Sequence, residues 1–88
     1  MKTIYKYNLE TTDVQEIKIY KGYQSLKVGY DGQNKLCLWA LVESKNKTVK
    51  QTFYLFETGH QISNISKKKY IGTVKDLTSK SYVFIWHI

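Results

Sequence analysis

The side chains that could carry out catalysis are few and scattered in this 88-residue chain. The single cysteine, Cys37, lies inside an apolar run, where a thiol stays protonated and unreactive. His60 and His87 are too few for a metal site without well-placed carboxylates, and the seven carboxylates are dispersed along the chain. No Gly-x-Ser-x-Gly turn is present. The sequence therefore predicts a protein that is not an enzyme, with no catalytic residue, no metal site and no cofactor.

The tripeptide Thr58-Gly59-His60 is the best single candidate for a binding site. A glycine between two polar residues lets the backbone approach a ligand closely, and the flanking side chains can form hydrogen bonds to it. The same pattern is typical of a turn that ends a strand, in which Gly59 takes a positive φ and His60 packs locally. The sequence leaves both interpretations open.

Lysine dominates the charge of the chain, which is +7 without any arginine. Residues 1–44 carry six lysines against five acids, whereas residues 45–88 carry eight lysines against two acids. An anion-binding surface is therefore expected in the second half. Its predicted members form a basic rim of Lys67, Lys68 and Lys69 with Lys45, Lys47 and Lys50. Tyr54, Tyr70 and His60 are expected close enough to stack a base. A lysine run is also typical of a solvated loop.

The absence of arginine limits the kind of ligand. Arginine supplies the planar fork that reads guanine edges in duplex DNA, whereas lysine acts as a mobile point charge. Sequence-specific binding of duplex DNA is therefore not expected.

The elements that must position these residues are strands. The stretch Leu36–Val42 is uninterrupted apolar sequence, too short to span a membrane, and we predict that it is a central strand buried on both faces. Shorter alternating segments flank it, and turn signals separate them. The predicted strands are Lys2–Leu9, Val14–Tyr20, Ser25–Tyr30, Leu36–Val42, Val49–Glu57, Tyr70–Val74 and Tyr82–Ile88. The sequence thus predicts a single all-β domain over residues 1–88, a small antiparallel sandwich or partly open barrel of six to seven strands.

Several connections carry specific predictions. Asp31-Gly32 predicts a hairpin turn, and Ser44–Lys47 predicts a second hairpin that places Val49–Glu57 beside the central strand. Gly72 predicts a bulge or a close backbone approach. A turn through Asp76 and Ser79 leads to the last strand.

The last predicted strand, Tyr82–Ile88, is the second nearly continuous apolar run. It should be central or covered by a partner chain, and its end at Ile88 could offer an edge for pairing between chains. Trp39 is expected in the core, and Trp86 is expected to be a packing or interface residue. A domain of this size gains stability from association, so a homo-oligomer is expected.

No hydrophobic signal region follows Met1 and no long apolar span is present. We therefore expect a cytoplasmic protein without a membrane partner.

Six sequence blocks resemble a family of short, uncharacterised proteins encoded by bacteriophages and prophages. The blocks are Lys2–Tyr7, the isoleucine-rich segment after Gln15, Cys37–Val42 (Cys-Leu-Trp-Ala-Leu-Val), Thr58–His60, Tyr70–Thr73 and the aromatic last strand. The sequence departs from the family at Glu57, where glycine is usual, and in the lysine-rich loop, so a role for Lys67–Lys69 belongs to this chain alone. The resemblance implies no activity. It implies a viral accessory protein in the cytoplasm of a bacterial host, a setting in which such proteins often counter host defence.

Three functions follow as hypotheses. In the first, a non-enzymatic homo-oligomer sequesters a small anionic, nucleotide-type immune signal through the lysines, Tyr54, Tyr70 and the Thr58–His60 turn. In the second, the protein inhibits a host defence enzyme, such as a CRISPR nuclease, by binding to it. In the third, it binds single-stranded nucleic acid.

Overall fold

The chain forms two antiparallel sheets packed face to face. The computed structural model describes residues 1–63, 65–77 and 81–88. Within them lie seven strands and a 3₁₀ turn at Ile65–Lys67. The strands are β1 (Lys2–Asn8), β2 (Val14–Tyr20), β3 (Gln24–Tyr30), β4 (Leu36–Glu43), β5 (Thr48–Glu57), β6 (Lys69–Lys75) and β7 (Tyr82–His87). One sheet has the order β1-β4-β3 and the other β2-β5-β7-β6. The predicted antiparallel sandwich of six to seven strands is confirmed.

Alternation along the strands creates one core between the sheets. In β4 every second residue faces inward, and Leu38 and Ala40 are completely buried. They meet Phe53 of β5 and Ile85 of β7, which are also completely buried. Each such aliphatic or aromatic side chain contributes about 1.5–3 kcal/mol relative to an exposed one. This single apolar layer holds the two sheets together.

The prediction that β4 is buried on both faces is wrong for part of the strand. β4 is central in its sheet, but Trp39 and Leu41 point away from the core and are only half-buried. Cys37 also lies on this outer side, yet it is fully buried beside the loop that joins β3 to β4. Its thiol lies 3.4 Å from Asn8 Oδ1 and 3.3 Å from the Lys35 carbonyl oxygen, and burial raises its pKa. An apolar run alone does not distinguish a second core face from an apolar outer face.

The Ser44–Lys47 hairpin prediction is wrong. This connection joins β4 of one sheet to β5 of the other, and β5 pairs with β2 and β7. Asn46 Nδ2 donates to the Lys21 carbonyl at 2.8 Å, and the Lys21 amide donates to the Lys47 carbonyl at 2.9 Å. These bonds hold the corner against the β2–β3 loop. A short polar loop fits a hairpin and an inter-sheet corner equally well, so local sequence could not decide.

The Asp31-Gly32 hairpin prediction is confirmed, and the strands on either side of the predicted turn through Asp76 are also paired. β3 pairs with β4 after the Asp31 turn, in which the Asp31 amide donates to the Lys35 carbonyl at 2.9 Å. β6 pairs with β7, and the Asp76 amide donates to the Ser81 carbonyl at 2.7 Å. The predicted turn position Ser79 lies outside the described residues.

β7 lies between β5 and β6, which confirms that the last apolar run is central. Its prediction as a pairing edge is therefore wrong, because both of its backbone edges are already used within the sheet. The edge strands are β1 and β3 in one sheet and β2 and β6 in the other.

Gly72 marks the point where the two sheets come closest at one side. The pairing of β6 with β7 shifts register between Tyr70 and Gly72, which is a bulge, and β6 contacts β3 of the opposite sheet. A Cβ atom on residue 72 would lie 2.2 Å from Val28 Cγ2. Both parts of the Gly72 prediction, the bulge and the close approach, are confirmed.

We predict that Gly72→Ala lowers the free energy of unfolding by about 1–3 kcal/mol, the usual cost of overpacking a filled interior. Val28 is a short, branched side chain and cannot move aside freely. The double variant Gly72→Ala/Val28→Ala should recover part of the loss relative to the sum of the two single variants, because the methyl group that clashes is gone. Urea denaturation of the four proteins measures this coupling. If the free-energy changes of the two single variants simply add in the double variant, the contact between residue 72 and Val28 is contradicted.

Candidate ligand-binding face

The outer face of the four-stranded sheet collects aromatic and lysine side chains. Because Phe53 and Ile85 point into the core, their neighbours Tyr54 and Trp86 point outward. The register places Tyr54, Trp86 and Tyr70 in one row across β5, β7 and β6. We call this surface the lysine–aromatic face. Its members used below are Val14, Lys18, Lys50, Tyr54, Lys68, Tyr70, Tyr82 and Trp86.

Lys68 fixes the connection between β5 and β6 on this face. β5 and β6 run parallel on either side of β7, so the end of β5 and the start of β6 lie at opposite ends of the sheet. The Lys68 ammonium lies 4.6 Å from the centroid of the Tyr54 ring and donates to the Ser63 carbonyl at 2.8 Å. Such a cation–π contact contributes about 0.5–1 kcal/mol at an exposed site. The connection therefore passes over the outer side of the sheet.

The aromatic rings pack against one another beneath this connection. Tyr54 and Phe56 are stacked with centroids 6.0 Å apart, and Tyr70 meets Trp86 edge to face at 5.4 Å. The Tyr70 hydroxyl is hydrogen-bonded to the Thr73 hydroxyl. The Trp86 indole N–H is buried and has no hydrogen-bond partner among the described residues. A buried donor without a partner destabilises the protein by roughly 1–3 kcal/mol, and a hydrogen-bond acceptor that reached this N–H would remove that cost.

Two lysines oppose each other directly on the same face. Lys18 of β2 and Lys50 of β5 are cross-strand partners, and both are exposed. Like charges in this position repel each other and destabilise the strand pair. An anion bound between the two ammonium groups would remove the repulsion.

Large apolar side chains on this face are also exposed. Val14, Tyr70 and Tyr82 are 54%, 52% and 53% exposed, and all three point to the outer side of the sheet. A contiguous surface of this kind is typical of a binding site or a subunit contact.

The structure brings together only part of the predicted site. Tyr54, Lys68 and Tyr70 lie on the lysine–aromatic face. Lys67 is exposed in the 3₁₀ turn. Lys69 alternates to the opposite side of β6, where its charge acts on His87.

The Thr58-Gly59-His60 segment is exposed and has the geometry of a local turn. Gly59 has a φ of 94°, and the His60 amide donates to the Glu57 carbonyl at 3.1 Å. The Glu57 amide in turn donates to His60 Nδ1 at 3.2 Å. One imidazole nitrogen is thus used within the turn, as the local-packing interpretation of His60 predicted.

Sequence reasoning included Lys50 in the basic rim, but it missed four members of the face: Val14, Lys18, Tyr82 and Trp86. The sequence does show that each of these residues alternates with inward-facing residues of its predicted strand. What could not be seen was that β2 pairs with β5, because strand pairing is not encoded in local spacing.

A separate polar cluster lies where Tyr23 packs against β5 and β7. The Tyr23 hydroxyl is hydrogen-bonded to His87 Nδ1, and the His87 ring stacks on Phe53 with centroids 6.0 Å apart. Burial raises the pKa of Tyr23, so the phenol keeps its proton. Burial, followed by the charge of Lys69, lowers the pKa of His87 below 6.5.

The lowered pKa of His87 predicts acid sensitivity. Below pH 6.5 the unfolded chain binds a proton at this position more readily than the folded protein, so stability should fall as the pH drops from 6.5 through the folded pKa. Urea denaturation between pH 7.5 and pH 5, values that span the ordinary histidine range, measures the slope. His87→Gln should flatten it, and Lys69→Gln should make it shallower. Equal slopes in wild type and His87→Gln would contradict the assignment.

Two kinds of feature are absent from the described part of the chain. Among residues 1–63, 65–77 and 81–88, no three His, Cys, Asp or Glu side chains are grouped in a way that could hold a metal ion. The same residues contain no helix with the length and apolar character needed to cross a membrane.

The fold and this face define a small all-β sandwich domain with a basic, aromatic outer surface. The chain belongs to the family described as a domain of unknown function, DUF7352, whose family model matches residues 1–88. Comparisons with curated proteins and with solved structures give no match.

Proposed function

We propose that this protein is a non-enzymatic binding protein that captures a small anionic, nucleotide-type ligand on the lysine–aromatic face. The observation that carries the proposal is the directly opposed pair Lys18 and Lys50, which lies on the same sheet face as the row Tyr54, Trp86 and Tyr70. The lysine pair and the aromatic rings match the two parts of a nucleotide, its phosphates and its base. Glu16 lies between Val14 and Lys18 on the same side of β2 and offsets part of this positive charge.

The spacing on the face suits such a ligand. Lys50 and Tyr54 are four residues apart on one strand, which corresponds to about 13 Å. A dinucleotide-sized ligand can place a phosphate between Lys18 and Lys50 and a base near Tyr54 or Tyr70. Tyr70 offers the more accessible ring, since it is 52% exposed.

The cleft at one end of the sandwich is unsuitable for this ligand. Its volume is about 30 Å³, and its lining includes Asp13, Glu57 and Asp76. A cavity of this size holds a water molecule rather than a nucleotide, and its carboxylates repel phosphate. This cleft is therefore excluded as the site of a nucleotide-sized anion.

The biological setting is part of the proposal. The resemblance to short phage and prophage proteins supports a role in the cytoplasm of a bacterial host, where sequestering a nucleotide immune signal would counter defence. Exposed Val14, Tyr70 and Tyr82 on the same face favour a homo-oligomer with ligand held between subunits.

We predict that a cyclic or ADP-ribose-type nucleotide raises the melting temperature of the protein. At a ligand concentration of 100 times Kd, the stabilisation is about 2.7 kcal/mol. Lys18→Ala/Lys50→Ala should abolish this shift while stabilising the unliganded protein slightly, because the repulsion is removed. The matched control is Lys35→Ala/Lys45→Ala, which removes the same charge from two loops and should keep the shift.

Native mass spectrometry of the same proteins with the nucleotide panel gives the stoichiometry and the ligand mass. A bare protein that ignores the whole panel, or equal shifts in the two double variants, would overturn the proposal. Binding only to a single-stranded oligonucleotide, with affinity falling steeply as salt rises, would instead assign the face to nucleic acid.

A further inference from the structure

The edge strands differ in how regular their pairing is. β3 and β6 each carry a register shift, between Ser25 and Lys27 and between Tyr70 and Gly72, and the two strands contact each other across the sandwich. Bulges and covering elements are usual ways in which proteins prevent further pairing at a sheet edge. β2 instead pairs with β5 along all of Val14–Tyr20 without a register shift. The other side of β2 is therefore a regular backbone edge.

The backbone groups on the open side of β2 belong to the even-numbered residues. The Asp13 carbonyl accepts from the Leu55 amide at 2.9 Å, so the odd-numbered positions bond to β5. In an antiparallel pair such residues alternate with residues whose amide and carbonyl point away from the neighbour. Glu16 and Lys18 therefore present their backbone amides and carbonyls to the open side.

Glu16 and Lys18 also give this edge a charge pattern that is complementary to itself. Both side chains are exposed on the outer face of the sheet, and neither forms an ion pair with another described residue. If two copies of β2 pair antiparallel about a two-fold axis at Ile17, Glu16 of each copy lies opposite Lys18 of the other. Opposite charges in this position stabilise a strand pair.

The same charges disfavour the neighbouring registers. A shift of two residues is the smallest that keeps every side chain on its own face of the sheet. In one direction it places Glu16 opposite Glu16, and in the other it places Lys18 opposite Lys18. Like charges directly opposite destabilise a strand pair. The charge pattern thus selects the register centred on Ile17.

We propose that this protein forms a symmetric dimer in which β2 pairs antiparallel with β2 of a second copy about Ile17. Each pair of Glu16 and Lys18 exchanges two backbone hydrogen bonds and forms an ion pair. Ile17 lies on the inner side of the strand yet is only half-buried, and it meets its counterpart at the two-fold axis. The two four-stranded sheets join into one continuous sheet.

The dimer also reduces a repulsion within each copy. Lys18 lies directly opposite Lys50 of β5. The carboxylate of Glu16 from the second copy lies on the other side of Lys18 and offsets part of this repulsion. β1 is also a regular edge strand, but its charged side chains are Lys2 and Lys6 and it carries no acid. Its edge therefore lacks the self-complementary charges of β2.

The contact is confined to the middle of the strand. The Val14 carbonyl accepts from Thr12 Oγ1 at 3.3 Å, and the Tyr20 carbonyl accepts from the Tyr23 amide at 3.3 Å. These bonds already use the outer carbonyls at the two strand ends. A contact over Gln15–Ile19 is smaller than a standard interface of about 800 Å² on each partner. The dimer is therefore expected to be reversible.

This inference does not rest on the nucleotide proposal, since pairing at the β2 edge requires no ligand. The measurements are made without nucleotide, so that failure of either proposal leaves the other standing.

The test is sedimentation equilibrium from about 1 μM to about 1 mM protein. Wild type should form a reversible dimer. Glu16→Lys and Lys18→Glu should each raise the dimer Kd roughly tenfold or more, because two ion pairs are replaced by two repulsive pairs. An equimolar mixture of the two variants should form a heterodimer as readily as wild type dimerises, since every lysine then lies opposite a glutamate. The matched controls Glu10→Lys and Lys35→Glu change the same charges in loops and should dimerise like wild type.

An intermolecular NOE identifies the register. In the dimer the Hα of Gln15 faces the Hα of Ile19 of the other copy, whereas within one chain the two residues are about 13 Å apart. A sample that mixes ¹³C-labelled and unlabelled protein should show this NOE after isotope filtering.

The proposal is overturned if the protein stays monomeric over the whole concentration range, or if Glu16→Lys dimerises like wild type. It is also overturned if the mixed variants stay monomeric. A dimer without the NOE between Gln15 and Ile19 would place the subunit contact elsewhere and overturn it too.

Discussion

The structure depends on burying one face of each sheet against the other. The core residues form a single layer of alternating side chains, with Leu38, Phe53 and Ile85 at its centre. A chain of this length has enough apolar side chains for one such layer and no more. Each strand therefore keeps a second face that stays outside the core. The composition of those two outer faces is free to serve binding rather than folding.

The two outer faces differ because of what covers them. The connection between β5 and β6 crosses the four-stranded sheet, and the contact of Lys68 with Tyr54 holds it there. This contact orders aromatic rings that would otherwise lie open, and it leaves Tyr70 accessible at the edge. On the three-stranded sheet, Lys27 takes a similar position over Trp39. A lysine against an aromatic ring is thus used on both sides of the molecule.

Much of the fold could be predicted from the sequence. Period-two alternation located the strands, Asp31-Gly32 marked a hairpin, and Gly72 marked a bulge and a close approach. Sheet membership could not be predicted in the same way. The Ser44–Lys47 connection had to be either a hairpin or a corner, and the choice depends on core packing between strands distant in sequence.

The candidate site could also be predicted only as far as local sequence allowed. The aromatic and lysine composition of the second half correctly pointed to Tyr54, Lys68 and Tyr70 as neighbours. Lys69 follows Lys68 directly, yet it faces the other way because β6 begins there and its side chains alternate. Predicting that Lys18 and Lys50 lie opposite each other would have required knowledge of which strands pair. Trp39 was assigned to the core because an apolar run carries no signal for which of its faces is buried.

The position of β7 has a consequence for the order of folding. β5 and β6 precede β7 in the chain, but they do not pair with each other, because β7 lies between them and pairs with both. The four-stranded sheet therefore cannot form progressively as the chain leaves the ribosome. Until residues 82–87 are available, β5 exposes an unpaired backbone edge and the core lacks Ile85. The nascent domain consequently stays open to aggregation or chaperone binding until its last strand is made.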